Sequence, residues 1–313
     1  MHLKSRSICK KAVFGALLVL AATILFAGSA LATETYLSYA VTPEWLKANL
    51  DKVTVIDARH TSLYKGQQGH IPNSVNAEWT YFANMQGKAG DPNWGKVLDS
   101  ANMAKKLAAL GIDGKKEVIV YGDGGDWGNA SWVVWILRMS GIKNAKILDG
   151  GWTAWRAAGG KTSNTTHTNK AVAAPKVTYN DAYLVDTDWM KANINDPTIR
   201  IVDVRTDKEY SGEIRPFGER RPGHIPGAYH FPMEKVMTKD FKLLPEAELQ
   251  AALAPDFYDK DQTIILYDTS GVRGAFMTMA FRLAGYKNAR NYNPSYHAWS
   301  ADADTEIRQG PNP

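Results

Sequence analysis

Cysteine is all but missing from this chain. The only one among 313 residues is Cys9, which lies in a short basic stretch ahead of an apolar run. Past that stretch there is no thiol, which excludes a disulfide framework, a Cys-ligated metal and a thiolate nucleophile from everything that follows. A surplus of one charge sign is missing too. Four of the 37 Lys and Arg, and none of the 32 Asp and Glu, lie in the first 32 residues, so the remainder is close to neutral. With no basic tract left, neither nucleic acid nor an anionic membrane surface is an expected partner. His60, His167, His230 and His297 show no ligand spacing, so they predict no metal site; no cofactor is expected either.

What is present begins with the one long apolar run, "AVFGALLVLAATILFAG". Lys4, Arg6, Lys10 and Lys11 precede it and the small residues "SALA" follow. The pattern predicts a signal peptide over residues 1–32, cleaved after Ala32, and an extracytoplasmic, periplasmic protein with no stable membrane span after cleavage. Hydrophobic residues make up 44% and charged residues 22%, which places the rest among ordinary globular proteins and not disordered ones. The length suits two domains.

The chain also repeats itself. "VTVIDAR" (53–59) matches "IRIVDVR" (199–205), "GHIPNSVN" (69–76) matches "GHIPGAYH" (223–230), and "EVIVYGDGG" (117–125) matches "TIILYDTSG" (263–271). "LRMSGIKNAKILDGGWTAW" (137–155) then matches "FRLAGYKNARNYNPSYHAW" (281–299). Four blocks in one order mark a duplication. Apolar runs predict strands at 53–57, 118–121 and 146–149, and again at 199–203, 263–267 and 289–292. Helical spacing predicts helices at 43–50 (capped by Thr42), 100–110 (opened by Ser100), 130–139, 187–194, 245–253 and 274–284. Continuous apolar strands alternating with helices predict an α/β fold with two mainly parallel sheets flanked by helices. The halves are expected at 33–160 and 177–313, joined by a linker over 161–176 that lacks apolar periodicity.

Two copies of a strand ending "D-[AV]-R", then "GHIP", then a strand running into a short loop and a helix, resemble the tandem rhodanese (thiosulfate and mercaptopyruvate sulfurtransferase) family. The likeness covers roughly residues 36–300. In that family the loop of the second repeat carries a cysteine followed by a pattern similar to "xSGVR", and the resemblance implies a persulfide held by the loop's backbone amides. Here "TSGVR" (269–273) is intact, but Asp268 stands at the cysteine position, and the first repeat's "YGDGGDWGNA" (121–130) has no cysteine either. A carboxylate is a far poorer nucleophile toward sulfane sulfur than a thiolate, so no persulfide catalysis is expected.

The surviving cradle is expected over Asp268, Thr269, Ser270, Gly271, Val272, Arg273 and Gly274, with the amides of Ser270 to Gly274, a helix N-terminus and the Arg273 guanidinium favouring negative charge at its centre. Asp268 can supply that charge itself. Arg205, Arg220, Arg221 and Trp127 are the candidate contacts for substrate or partner, although Arg205 can equally form an ion pair with Glu209. His70 and His224 both sit in "GHIP", where repetition of a fold element explains them without a metal. Two functions follow as expectations. One is an exported, non-catalytic protein that binds a small anion, a sulfur species or an exported protein partner. The alternative is a sulfurtransferase-family enzyme with altered chemistry at Asp268.

Overall fold

A computed structural model of the chain describes residues 36–123, 128–239 and 242–311. The expected signal peptide and Trp127 lie outside the described residues. Two sheets of five parallel strands organise the rest. The first contains β1 (Ala40–Val41), β2 (Thr54–Asp57), β3 (Val75–Asn76), β4 (Val118–Tyr121) and β5 (Ala145–Leu148) in the order β1-β5-β4-β2-β3. The second contains β6 (Leu184–Val185), β7 (Ile199–Asp203), β8 (Tyr229–His230), β9 (Thr263–Tyr267) and β10 (Ala289–Tyr292) in the equivalent order β6-β10-β9-β7-β8. The central registers correspond: Asp57 faces Tyr121 across β2 and β4, and Asp203 faces Tyr267 across β7 and β9.

The connections are helical, as parallel pairing demands. The first repeat carries α1 (Tyr36–Tyr39), α2 (Pro43–Asn49), α3 (Thr61–Tyr64), α4 (Ser100–Ala109), α5 (Asn129–Met139) and α6 (Gly151–Ala157). The second carries α7 (Thr187–Asn193), α8 (Asp207–Ser211), α9 (Glu246–Leu253), α10 (Val272–Leu283) and α11 (Tyr296–Ala301). Thr42 caps α2 through its side chain, as expected, but α4 is capped by Asp99, whose carboxylate accepts from the Asn102 amide; Ser100 is the first helical residue. The helix expected at 274–284 starts two residues earlier, so that the amides behind Gly271 belong to its first turn.

The helices α5 and α10 are mostly apolar and buried on nearly every face, as helices enclosed in a core are. They pack on each other between the sheets, and one cluster of buried side chains runs from Trp132, Trp135 and Leu137 of the first repeat into Phe276, Met277 and Phe281 of the second. Smaller clusters fill the outer face of each sheet. Residues 161–176 form neither helix nor strand and run along the first repeat, where Ser163 and His70 exchange backbone hydrogen bonds; Arg308 and His224 do the same in the second. Among the described residues no helix is long and apolar enough to cross a membrane.

Candidate functional site

The loop after β9 is shaped by two glycines. Gly271 adopts φ +94°, a region that side chains rarely enter, and a Cβ there would also lie 2.9 Å from the Asn293 amide nitrogen. Gly274 lets α10 approach β10, since a Cβ on it would come within 2.4 Å of Asn291 Oδ1. The chain therefore turns sharply out of the strand and directs the first amides of α10 back toward Asp268. Oδ1 of Asp268 accepts from the amide of Gly271 at 2.5 Å and of Gly274 at 3.4 Å, while Oδ2 accepts from the amide of Arg273 at 3.2 Å and from its Nε at 3.5 Å. Only 2% of Asp268 is exposed. The amides of Ser270 and Val272, expected in the cradle, are not among its donors.

Ser295 holds Asp268 from the other side. The Asp268 amide donates to Ser295 Oγ at 2.8 Å, and that hydroxyl donates to the Asp268 carbonyl at 2.7 Å. Ser295 itself sits at φ +71°, an uncommon conformation for a residue with a Cβ.

Behind the loop lies a buried charge network that sequence spacing does not reveal. Arg273 forms a two-pronged pair with Glu209, at 2.9 and 2.7 Å. Glu209 in turn closes a capping box with Thr206 at the start of α8. Burial works against its charge, but the bonds from Arg273 and Thr206 hold the carboxyl down at about 2. Glu219 accepts from Arg205 Nη1 at 2.9 Å and from the Thr269 hydroxyl at 2.9 Å. Burial pushes its carboxyl up to about 7, with the Glu209 charge adding to the effect and Arg205 pulling the other way.

The candidate arginines take other roles than those expected. Arg205 is fully buried, paired with Asp203 at 2.7 Å and with Glu219, and donates to the Gly223 carbonyl; it reaches neither the cleft nor Glu209. Its fork geometry suits the strand-end carboxylate two residues before it better than a partner one helical turn on. Arg220 turns to the Gly90 carbonyl and to Asp91 at 3.0 Å. Arg221 gathers the carbonyls of Trp299, Ser300, Asp302 and Thr305 and so fastens the C-terminal segment. His70 and His224 stack on Tyr64 and Tyr210 and each meets that tyrosine's carbonyl through Nδ1 at 2.8 Å, a structural role in both repeats. No cluster of metal-ligating side chains occurs among the described residues.

Above Asp268 opens a cleft of about 400 Å³. Its floor is Asp268, Thr269, Ser270, Val272 and Arg273, and its sides bring in Trp79, Trp94 and Asn129 of the first repeat with Pro216, Phe217 and His297 of the second. Sequence reasoning missed these aromatic walls, as it missed Glu219, the place of His297 and the pairing of Glu209 with Arg273. The "T-x-x-E" of the capping box at 206–209 and the eight extra residues between Arg205 and "GHIP" were the available signals. Burial pushes His297 below the usual histidine range, and its Nε2 lies 2.9 Å from the Phe217 carbonyl.

Comparison with known proteins gives a consistent answer. The family model described as Rhodanese-like domain matches residues 42–158 and again 186–302. The sulfur carrier protein TtuD of Thermus thermophilus is 27% identical over 283 residues, covering 86% of this chain and 96% of that one. A protein of Mycobacterium leprae, named as an inferred thiosulfate sulfurtransferase, is 27% identical over 280 residues, covering 86% and 97%. Among solved structures, the anaerobic ergothioneine biosynthesis enzyme from Chlorobium limicola, in complex with its natural substrate trimethyl histidine, superposes with a TM-score of 0.78 at 20% identity over 88% of this chain and 71% of that one. At that identity the likeness speaks for the fold alone.

Proposed function

The chain belongs to the family of rhodanese-like domains, in two copies, and from that premise we propose that it is an exported member that binds a ligand or an exported protein partner and does not transfer sulfur. The observation that carries this reading is the state of Asp268. Its carboxylate accepts three loop amides in the place where the family's persulfide would sit, so the cradle is filled by the chain's own charge. With Cys9 in the segment expected to be removed, no thiol is left to carry a sulfane sulfur. The amides a small oxyanion would need are those already given to Asp268, so thiosulfate or sulfate should stabilise an Asp268→Ala variant more than wild type.

The test is a sulfurtransferase assay on protein isolated from the exported fraction. Wild type should release no thiocyanate from thiosulfate or mercaptopyruvate with cyanide, and its intact mass should be unchanged by sulfur donors. Asp268→Cys should acquire one added sulfur. Thiocyanate release by wild type above the level of Asp268→Ala would overturn the proposal. The same preparation, sequenced from its N-terminus, should begin at Thr33; a species retaining Met1 would remove the export claim.

A further inference from the structure

We infer that the cleft over Asp268 takes a small organic cation of the trimethylammonium or quaternary ammonium class, held among the rings of Trp79, Trp94 and Phe217 above an acidic floor. The inference rests on the reading of this cleft as a binding site and names the chemistry it selects.

The rings come first. Trp79 and Trp94 meet at 72° with centroids 5.6 Å apart, and Trp94 and Phe217 meet at 78° with centroids 6.5 Å apart. Rings set nearly at right angles form the corner of a box, where stacked rings would form a plug. Both tryptophans are only half-buried, and Phe217 is 82% exposed at the rim. An aromatic surface left open to water beside a carboxylate is unusual for a side wall, but it is what an alkylammonium ion requires, because the negative face of each ring attracts the cation while its methyl groups are shielded from water.

The floor comes second. Six charged side chains are buried in and behind the loop: Asp203, Glu209, Glu219 and Asp268 against Arg205 and Arg273. Even with Glu219 protonated, the acids outnumber the bases by one. The N-terminus of α10 offsets part of that excess. Arg220 is drawn away to Asp91. The charged donor on the cleft floor and the hydroxyl beside it are engaged within the protein. Arg273 gives its N–H groups to Glu209, Thr269 and Asp268; Thr269 gives its hydroxyl to Glu219. Since a carbonyl can only accept, His297 donates from Nε2 to Phe217 and keeps its lone pair on Nδ1, which has no partner. The Arg273 guanidinium, the group that would hold an oxyanion, is thus committed within the protein, while the aromatic faces stay open to the cleft.

The experiment is calorimetric titration of wild type with choline, tetramethylammonium, thiosulfate and 3,3-dimethylbutan-1-ol, the neutral carbon isostere of choline. Choline should bind at least about 10-fold tighter than the isostere. Trp94→Leu should weaken choline by about 10-fold or more while Trp94→Phe stays within about 3-fold, and Phe217→Ala, which removes an exposed ring, should weaken it by about 3-fold. Isostere and choline binding equally would overturn the inference, as would tighter binding of thiosulfate or no binding of either cation. Thiosulfate binding without thiocyanate release would leave the non-transferring role standing and remove only the cation. Thiocyanate release would remove the former instead.

Discussion

Gly122 in the first repeat and Asp268 in the second follow matching tyrosines at the ends of β4 and β9. Each gives its carbonyl to the first turn of a later helix, α6 or α11, at the amides of Trp152 (2.8 Å) and Tyr296 (3.0 Å). Below them the frame is the same as well. Arg59 pairs with Asp57 at 2.6 Å, donates to the Gly69 carbonyl and lies 4.3 Å over Trp152; Arg205 pairs with Asp203, donates to the Gly223 carbonyl and lies 4.2 Å over Tyr296. The repeats part at three places. Asp268 replaces a glycine, Ser295 takes the positive-φ position that Gly151 holds in the first repeat, and the longer loop before "GHIP" brings in Phe217 and Glu219. Among the described residues Arg59 Nη1 meets the Asp123 carboxylate at 3.9 Å, where Arg205 Nη1 meets a buried carboxylate at 2.9 Å. The shared frame is what the fold needs, and the added charge surrounds the cleft.

The largest expected effect comes from breaking the matched arginines. Arg205→Met leaves both Asp203 and Glu219 buried without their cationic partner and should cost about 3–5 kcal/mol in denaturant unfolding. Arg59→Met strands only Asp57 and should cost measurably less; equal losses would mean that Glu219 adds nothing to the frame.

Acidity separates the repeats next. The folded Glu219 carboxyl lies above its unfolded value, so its stabilising effect is complete below about 4.5 and is lost as pH rises through about 7, a change of about 3 kcal/mol at most. Glu219→Gln mimics the protonated form and should gain on wild type between pH 5 and 8. Glu209 works in the opposite sense, its contribution present above about 4.5 and fading as pH falls toward about 2. A Glu219→Gln difference that stays flat with pH would show that the carboxyl titrates in its ordinary range.

Ser295→Ala keeps the uncommon backbone angle and removes the hydroxyl that braces Asp268, so it should cost about 1–3 kcal/mol. Ser295→Gly relieves the angle and should cost less than the alanine; the reverse order would place the value of Ser295 elsewhere. Smallest of all, Asp123→Asn in the first repeat removes a carboxylate 3.9 Å from Arg59 and 30% exposed, and should shift stability by less than about 1 kcal/mol.

The long strands were legible in the sequence because a parallel strand buried on both faces reads as an unbroken apolar run, as in "VIVY" and "TIILY". The two-residue edge strands β1, β3, β6 and β8 were not, since two residues cannot display a period. Asp268 was legible through the intact "TSGVR" beside it. Glu209 and Glu219 come to it from elements far along the chain, and nothing in their local spacing announces a meeting. Arg205, Arg220 and Arg221 look alike as letters. Burial alone separates the first, and the orientation of the loop separates the other two.

Asn293 joins what the duplication set apart. Its side chain accepts from the Val97 amide at 2.9 Å and donates to the carbonyls of Gly95 at 3.1 Å and Ser270 at 3.2 Å, so one amide group ties a loop of the first repeat to the site loop of the second. The first repeat also lends the cleft Trp79 and Trp94. The first repeat thereby forms the opposing wall of the cleft over its twin's loop. The cleft's walls would therefore be incomplete in either half alone.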